Sequence, residues 1–147
     1  MTQDVLLSIR GLQFDAEADS GTLETITPAE YFQKNSHHYL IYDEVTEGFH
    51  DSTKNIIKWD DSTLDLTKRG VVNVHMIFEE NKKNMTEYKT PFGSILIGID
   101  THGVNVKEEE ERISIQVDYA LEINYEHLAE CKINMDVRPK KEAARFL

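Results

Sequence analysis

Period two governs most of this chain. From Ile113 the apolar positions run Ile113, Ile115, Val117, Tyr119, Leu121, Ile123 and Tyr125, with Ser114, Gln116, Asp118, Ala120, Glu122 and Asn124 between them. Successive side chains of a strand point to opposite faces, so this segment has one apolar and one mostly polar face. A helix would scatter the same residues around its circumference, and the pattern predicts a half-buried antiparallel strand. Ala129, Cys131, Ile133, Met135 and Val137 repeat it. The joint at Tyr125–Leu128 is short, which predicts a hairpin. Pro139 lacks a backbone donor and should end the second strand, leaving 139–147 as a tail.

Further strands are expected upstream. Val72, Val74, Met76 and Phe78 alternate with Asn73, His75 and Ile77. The polar stretch 79-EENKKN-84 reads as a loop, with Met85 to Thr90 as the returning strand. Ile95, Ile97 and Ile99 form another, and Val5–Phe14, 39-YLIYDEV-45 and Asn55–Trp59 are strand-like. Gly11 marks an expected bulge, because the apolar face changes there. In 27-TPAEYFQKN-35, Thr27 and Glu30 have capping-box spacing and Pro28 suits a first helical turn. The β-type residues on both sides favour a strand broken by the proline. No repeat or linker divides residues 1–147, so one domain is expected. About 8–10 strands and almost no helix imply an all-β fold. Long sequential hairpins favour a closed antiparallel up-and-down β-barrel over a sandwich.

Composition narrows the function. The 147 residues carry 27 acidic and 16 basic side chains, a formal charge of -11. That charge repels nucleic-acid phosphates and anionic lipid headgroups, so neither partner is expected. Cys131 is the single cysteine, which excludes an internal disulfide and a thiolate metal centre. The opening MTQDVLLSIRG does not read as a signal peptide, no apolar run reaches spanning length, and the cytoplasm is the expected location.

The series 39-YLIYDE-44, 69-RGVVNVHMIFEE-80, 88-YKTPFG-93 and 113-ISIQVDYAL-121 resembles the YwiB-like family of small bacterial proteins. The resemblance extends from about Val5 to Val137, and Arg69-Gly70 with 88-YKTPFG-93 carries it best. It departs at Thr27-Pro28, where the family implies an unbroken strand. It implies a calycin-like barrel, related in shape to lipocalins and fatty-acid-binding proteins. It supplies no function.

Candidate chemistry is sparse. Thr90-Pro91-Phe92-Gly93 has proline and glycine where a turn needs them and no phosphate cradle, so it reads as a hairpin turn whose Phe92 could cap the barrel. His37 and His38 are neighbours, and on a strand they point to opposite faces. No metal motif includes any histidine, and no cofactor is expected. The acidic run 107-KEEEER-112 reads as a solvated loop or strand edge, and 60-DDSTLD-65 as a turn without a calcium frame. Cys131 falls on an apolar face and reads as a structural thiol. No catalytic serine motif is present.

The candidate ligand-binding residues are Trp59, Tyr88, Phe92 and Tyr119, which bring ring and hydroxyl groups to apolar faces, and Arg69, which could hold an anion. Three functions stay open. One is a non-enzymatic barrel holding a small, partly apolar ligand. A second is an interaction module that forms a homodimer through its surface. A third is a hydrolase or isomerase using Arg69 and a histidine such as His75 at the barrel mouth.

Overall fold

The computed structural model describes residues 3–11, 24–45 and 48–140. Among the described residues ten strands follow one another: β1 (Asp4–Arg10), β2 (Glu24–Lys34), β3 (His37–Val45), β4 (Ser52–Trp59), β5 (Thr63–Arg69), β6 (Val74–Glu79), β7 (Lys82–Thr90), β8 (Gly93–Glu109), β9 (Arg112–Ile123) and β10 (Glu126–Pro139). They form a single sheet in the order β6-β5-β4-β3-β2-β1-β10-β9-β8-β7. Every neighbouring pair is antiparallel. This is an up-and-down barrel, consistent with a calycin-like fold.

The first and last strands meet within the sheet, from Val5 opposite Pro139 to Arg10 opposite Asn134. The sheet's two edges are instead β6 and β7, which are consecutive in sequence. Among the described residues no ladder joins them. An isolated bridge pins Asn73 to Lys89, with both backbone bonds at 2.9 Å. Halfway along, Asn84 Nδ2 donates to the Ile77 carbonyl at 3.2 Å. The barrel is therefore nearly closed, with a side-chain-bridged seam.

Burial follows the alternation. In β9 the buried positions are Ile113, Ile115, Val117, Tyr119 and Leu121, and in β10 Ile133, Met135 and Val137. They meet Val5, Leu7 and Ile9 of β1, and Phe78 packs edge-on against Tyr119 at 5.0 Å. At about 25 cal/mol per Å² of apolar surface, this burial is the main force closing the sheet.

Several boundaries differ from the sequence expectation. The β9–β10 turn is Asn124-Tyr125, both with positive φ as a type I′ turn requires, so Tyr125 leaves the strand and is exposed. The surplus residue of that joint becomes a bulge between His127 and Ala129. The 79–84 loop shrinks to a Glu80-Asn81 turn, and Lys82–Asn84 belong to β7. β1 ends at Arg10, where Gly11 adopts φ +85; Leu12–Phe14 lie outside the described residues. A Cβ on Gly11 would sit 1.9 Å from the Lys132 carbonyl oxygen, so only glycine fits that close approach. The tail beyond 140 also lies outside them.

Segment 27–34 is strand and Asn35 opens the turn to β3; β2 runs unbroken through Pro28. Tyr31 donates its backbone N–H to Gln3 on the β1 side, so by alternation the Pro28 nitrogen faces away from β1. Pairing with β3 begins only at Glu30 opposite Ile41. The missing donor thus falls where β2 has no β3 partner, and no ladder bond is lost.

The short motifs resolve as turns. Thr90 lies opposite Gly93, whose φ is +132, and the Thr90 hydroxyl both donates to Gly93 O and accepts from Phe92 N. Asp60 Oδ1 accepts from Ser62 N and Thr63 N, but only 60–62 is turn, because residues 63–65 already belong to β5. Lys107–Glu109 prolong β8 past the β7 ladder, which stops at Thr101, and so form a strand edge.

Candidate functional site

The inner face of three adjacent strands changes character toward one end of the barrel. In β5 the buried positions are Leu64, Leu66 and then Lys68; in β4, reading the other way, Trp59, Ile57 and then Asn55 and Thr53. β3 points Leu40, Tyr42 and Glu44 inward. Register places Tyr42 opposite Asn55 and Asn55 opposite Lys68, so the three form a row across the interior. Lys68 then faces Val74 of β6, and one step from the Asn73–Lys89 bridge puts Val74 beside Tyr88 of β7.

The row is bonded together. Lys68 Nζ lies 2.8 Å from Asn55 Oδ1 and 3.0 Å from Glu44 Oε1. Lys68 is only 7% exposed and Asn55 is fully buried. Burying an ammonium is costly unless it is paired and hydrogen-bonded, and here it is both. Asn55 Nδ2 reaches the Thr53 carbonyl at 3.4 Å, and the Thr53 hydroxyl accepts from Val71 N at 3.1 Å. Burial pushes both the Tyr42 and the Tyr88 phenols up, and the nearby Glu44 carboxylate adds to the rise. Both phenols therefore stay neutral donors near physiological pH. The end of the barrel offers an ammonium, two phenols, an amide and a carboxylate beside an apolar interior.

At the far end of the same strands lies a second cluster. His38 stacks on Trp59, with centroids 5.2 Å apart, and its Nδ1 is 2.6 Å from the Tyr31 hydroxyl. Its Nε2 is 3.8 Å from Glu108. Burial, with Glu108 adding, pushes the Tyr31 phenol up to about 12. Trp59 Nε1 is buried without a hydrogen-bond partner among the described residues.

The expected ligand residues are not brought together. Trp59 and Tyr119 point inward and are fully buried, Trp59 at the His38 end and Tyr119 against Phe78. Tyr88 points inward, half-buried, beside the Lys68 row. Phe92 is 90% exposed at the β7–β8 turn, with its ring edge-on to Phe49 at 6.3 Å, so it does not cap the interior. Arg69 is exposed on the outer face of β5. His75 is outside too, paired with Asp65 at 2.8 Å, so Arg69 and His75 do not face the barrel mouth. His37 turns outward to Asp60 while His38 turns in. Cys131 is half-buried, and burial pushes its thiol up. Among the described residues, no cluster of three or more potential metal ligands occurs, and no helix is long and apolar enough to cross a membrane.

Lys68, Asn55 and Glu44 are the residues the sequence reading missed. The signal was present, because Lys68 continues the Leu64, Leu66 parity and Glu44 continues Leu40, Tyr42.

A nearly closed ten-stranded up-and-down barrel with a polar end to its interior is the class this structure defines. The chain matches the domain of unknown function DUF1934 over residues 7–135, and it belongs to that family. Its fold is similar to the crystal structure of the ywiB protein from Bacillus subtilis. The two share 18% identity over 93% of this chain and 92% of that one, with a TM-score of 0.76. No curated protein matches the chain.

Proposed function

We propose that this barrel is a non-enzymatic binder of a small amphipathic ligand, held at the Lys68 end of the interior. The observation that carries the reading is the buried Tyr42–Asn55–Lys68 row at the end of an apolar barrel. Few polar groups converging at the end of an apolar lining are the usual make-up of a small-molecule site. Tyr88 extends the row, and Ile95, paired with Tyr88 and 40% exposed, gives the ligand's apolar part a wall to leave along. Phe92 and Phe49 stand at the rim. The proposed setting is the cytoplasm, in keeping with a single half-buried thiol.

The test is native mass spectrometry of protein purified from its own host, followed by denaturing extraction. A stoichiometric extra mass that Lys68→Met loses is the expected result. A clean apo mass in both proteins, with no apolar probe binding, would overturn the reading.

A second reading is a homodimer formed through the barrel surface. Its support is the exposure of Phe92 and Tyr125 at turns of the same end and of Leu128 near the start of β10. A strict monomer in sedimentation across a wide concentration range would remove it.

A further inference from the structure

The Lys68 site contains its own clue to ligand class, provided the amphipathic-ligand reading above holds. Lys68 and Asn55 are buried and hydrogen-bonded to each other at 2.8 Å. Glu44 is different. Its side chain is about one-third exposed (37%) and makes a single contact to Lys68, through one oxygen at 3.0 Å. It is the penultimate residue of β3, and the next residue, Val45, is 81% exposed. The ammonium is buried, and its carboxylate partner lies on the water-facing side of the pair.

The groups around that carboxylate form a receptor for one carboxylate. An ammonium contacts it, and its charge acts on both the Tyr42 and Tyr88 phenols. Charged hydrogen bonds of this kind are short and strong. Without Glu44, Lys68 would be a buried cation with only an amide partner, so the chain supplies its own counter-ion.

We infer that the ligand of this site is a monocarboxylate with an apolar body, and that it binds by displacing the Glu44 carboxylate from Lys68. The step exchanges one ion pair for another, and Glu44 turns out to water. One ammonium balances one negative charge. A phosphate dianion would keep an uncompensated charge next to the displaced Glu44, in a chain of formal charge -11. An amine would meet Lys68 head-on. Self-occupation lowers apparent affinity by the fraction of molecules in which the site is open, so a site open about a tenth of the time binds about tenfold more weakly.

The probes are octanoate and octan-1-ol, titrated calorimetrically into the full chain and its Glu44→Ala, Glu44→Gln and Lys68→Met variants, with folding checked by circular dichroism. The expected result is octanoate binding roughly tenfold tighter in Glu44→Ala than in the native protein, and at least tenfold weaker in Lys68→Met. Octan-1-ol binding should change little in either. Octanol binding without octanoate binding, or octanoate affinity unmoved by both Glu44 variants, would overturn the exchange and leave the amphipathic-ligand reading standing. If no protein binds either probe, both fail together. Should the variants not fold, crystals of the native protein soaked in octanoate decide. A probe carboxylate on Lys68 with Glu44 turned out supports the exchange, and Glu44 unmoved beside bound probe refutes it.

Discussion

The two walls of this barrel are made differently. On β9, β10 and β1 every inward position from Ile113 to Leu121, Ile133 to Val137 and Val5 to Ile9 is apolar and buried. On β3, β4 and β5 the inward rows pass from apolar Leu40, Ile57 and Leu66 to polar Glu44, Asn55 and Lys68. The first wall closes the sheet by exclusion of water, which needs only volume and shape. The second gives up apolar area for a bonded set of charges, which contributes little net stability in exchange for chemistry. The difference teaches that the fold and its candidate activity rest on separate strands.

That contrast can be broken at either wall. The largest effect is expected at Leu7, which is fully buried; Leu7→Ala should cost about 3 kcal/mol, read as a lower denaturant midpoint at constant slope. Lys68→Met should cost less, about 1 kcal/mol, because Glu44 can turn to water and only the Asn55 oxygen loses its partner. Pairing it with Glu44→Leu should recover most of that loss, and a double-mutant cycle measures the coupling.

A smaller effect is expected in alkali. The Tyr31 phenol is held at about 12 against an ordinary 10.0, and Tyr42 is also raised. Where the folded state keeps a proton that the unfolded state has lost, stability falls as pH rises. The Tyr31 contribution is intact below about pH 10 and is lost toward about pH 12, and the raised Tyr42 phenol adds to the same alkaline decline. Tyr42→Phe and Tyr31→Phe should each flatten this alkaline decline in urea unfolding. The smallest effect belongs to the outer face: Arg69→Ala and His75→Ala should each lie within about 0.5 kcal/mol of the native protein and leave octanoate binding unchanged.

What the sequence discloses follows from what its pattern encodes. The β9–β10 hairpin was legible because apolar and polar residues alternate strictly, and alternation is a local consequence of strand geometry. Pro28 misled, because its tolerance depends on where β2 stops pairing with β3, a relation between distant segments. The β6–β7 seam was invisible for the same reason: a hairpin that splays has the same residues as one that zips. At the site, attention went to Arg69 because arginine beside glycine looks like an anchor. Its neighbour Lys68 was legible by parity alone, but a charged residue in an apolar row is easily taken for the row's end. That Glu44, Asn55 and Lys68 meet is a matter of register across three strands, which no local pattern states.

The seam between β6 and β7 also bears on how the chain reaches this state. Nearly every ladder joins neighbours in sequence, but β1 must find β10 from the other end of the chain. Closing a loop of that length costs entropy that no earlier contact has offset, so the ring is expected to form late and slowly. The break in the ladder lies instead at Glu80-Asn81. A circularly permuted chain opened there, with Pro139 linked toward Val5, would turn the long-range pairing into one more local hairpin and should fold faster to the same barrel.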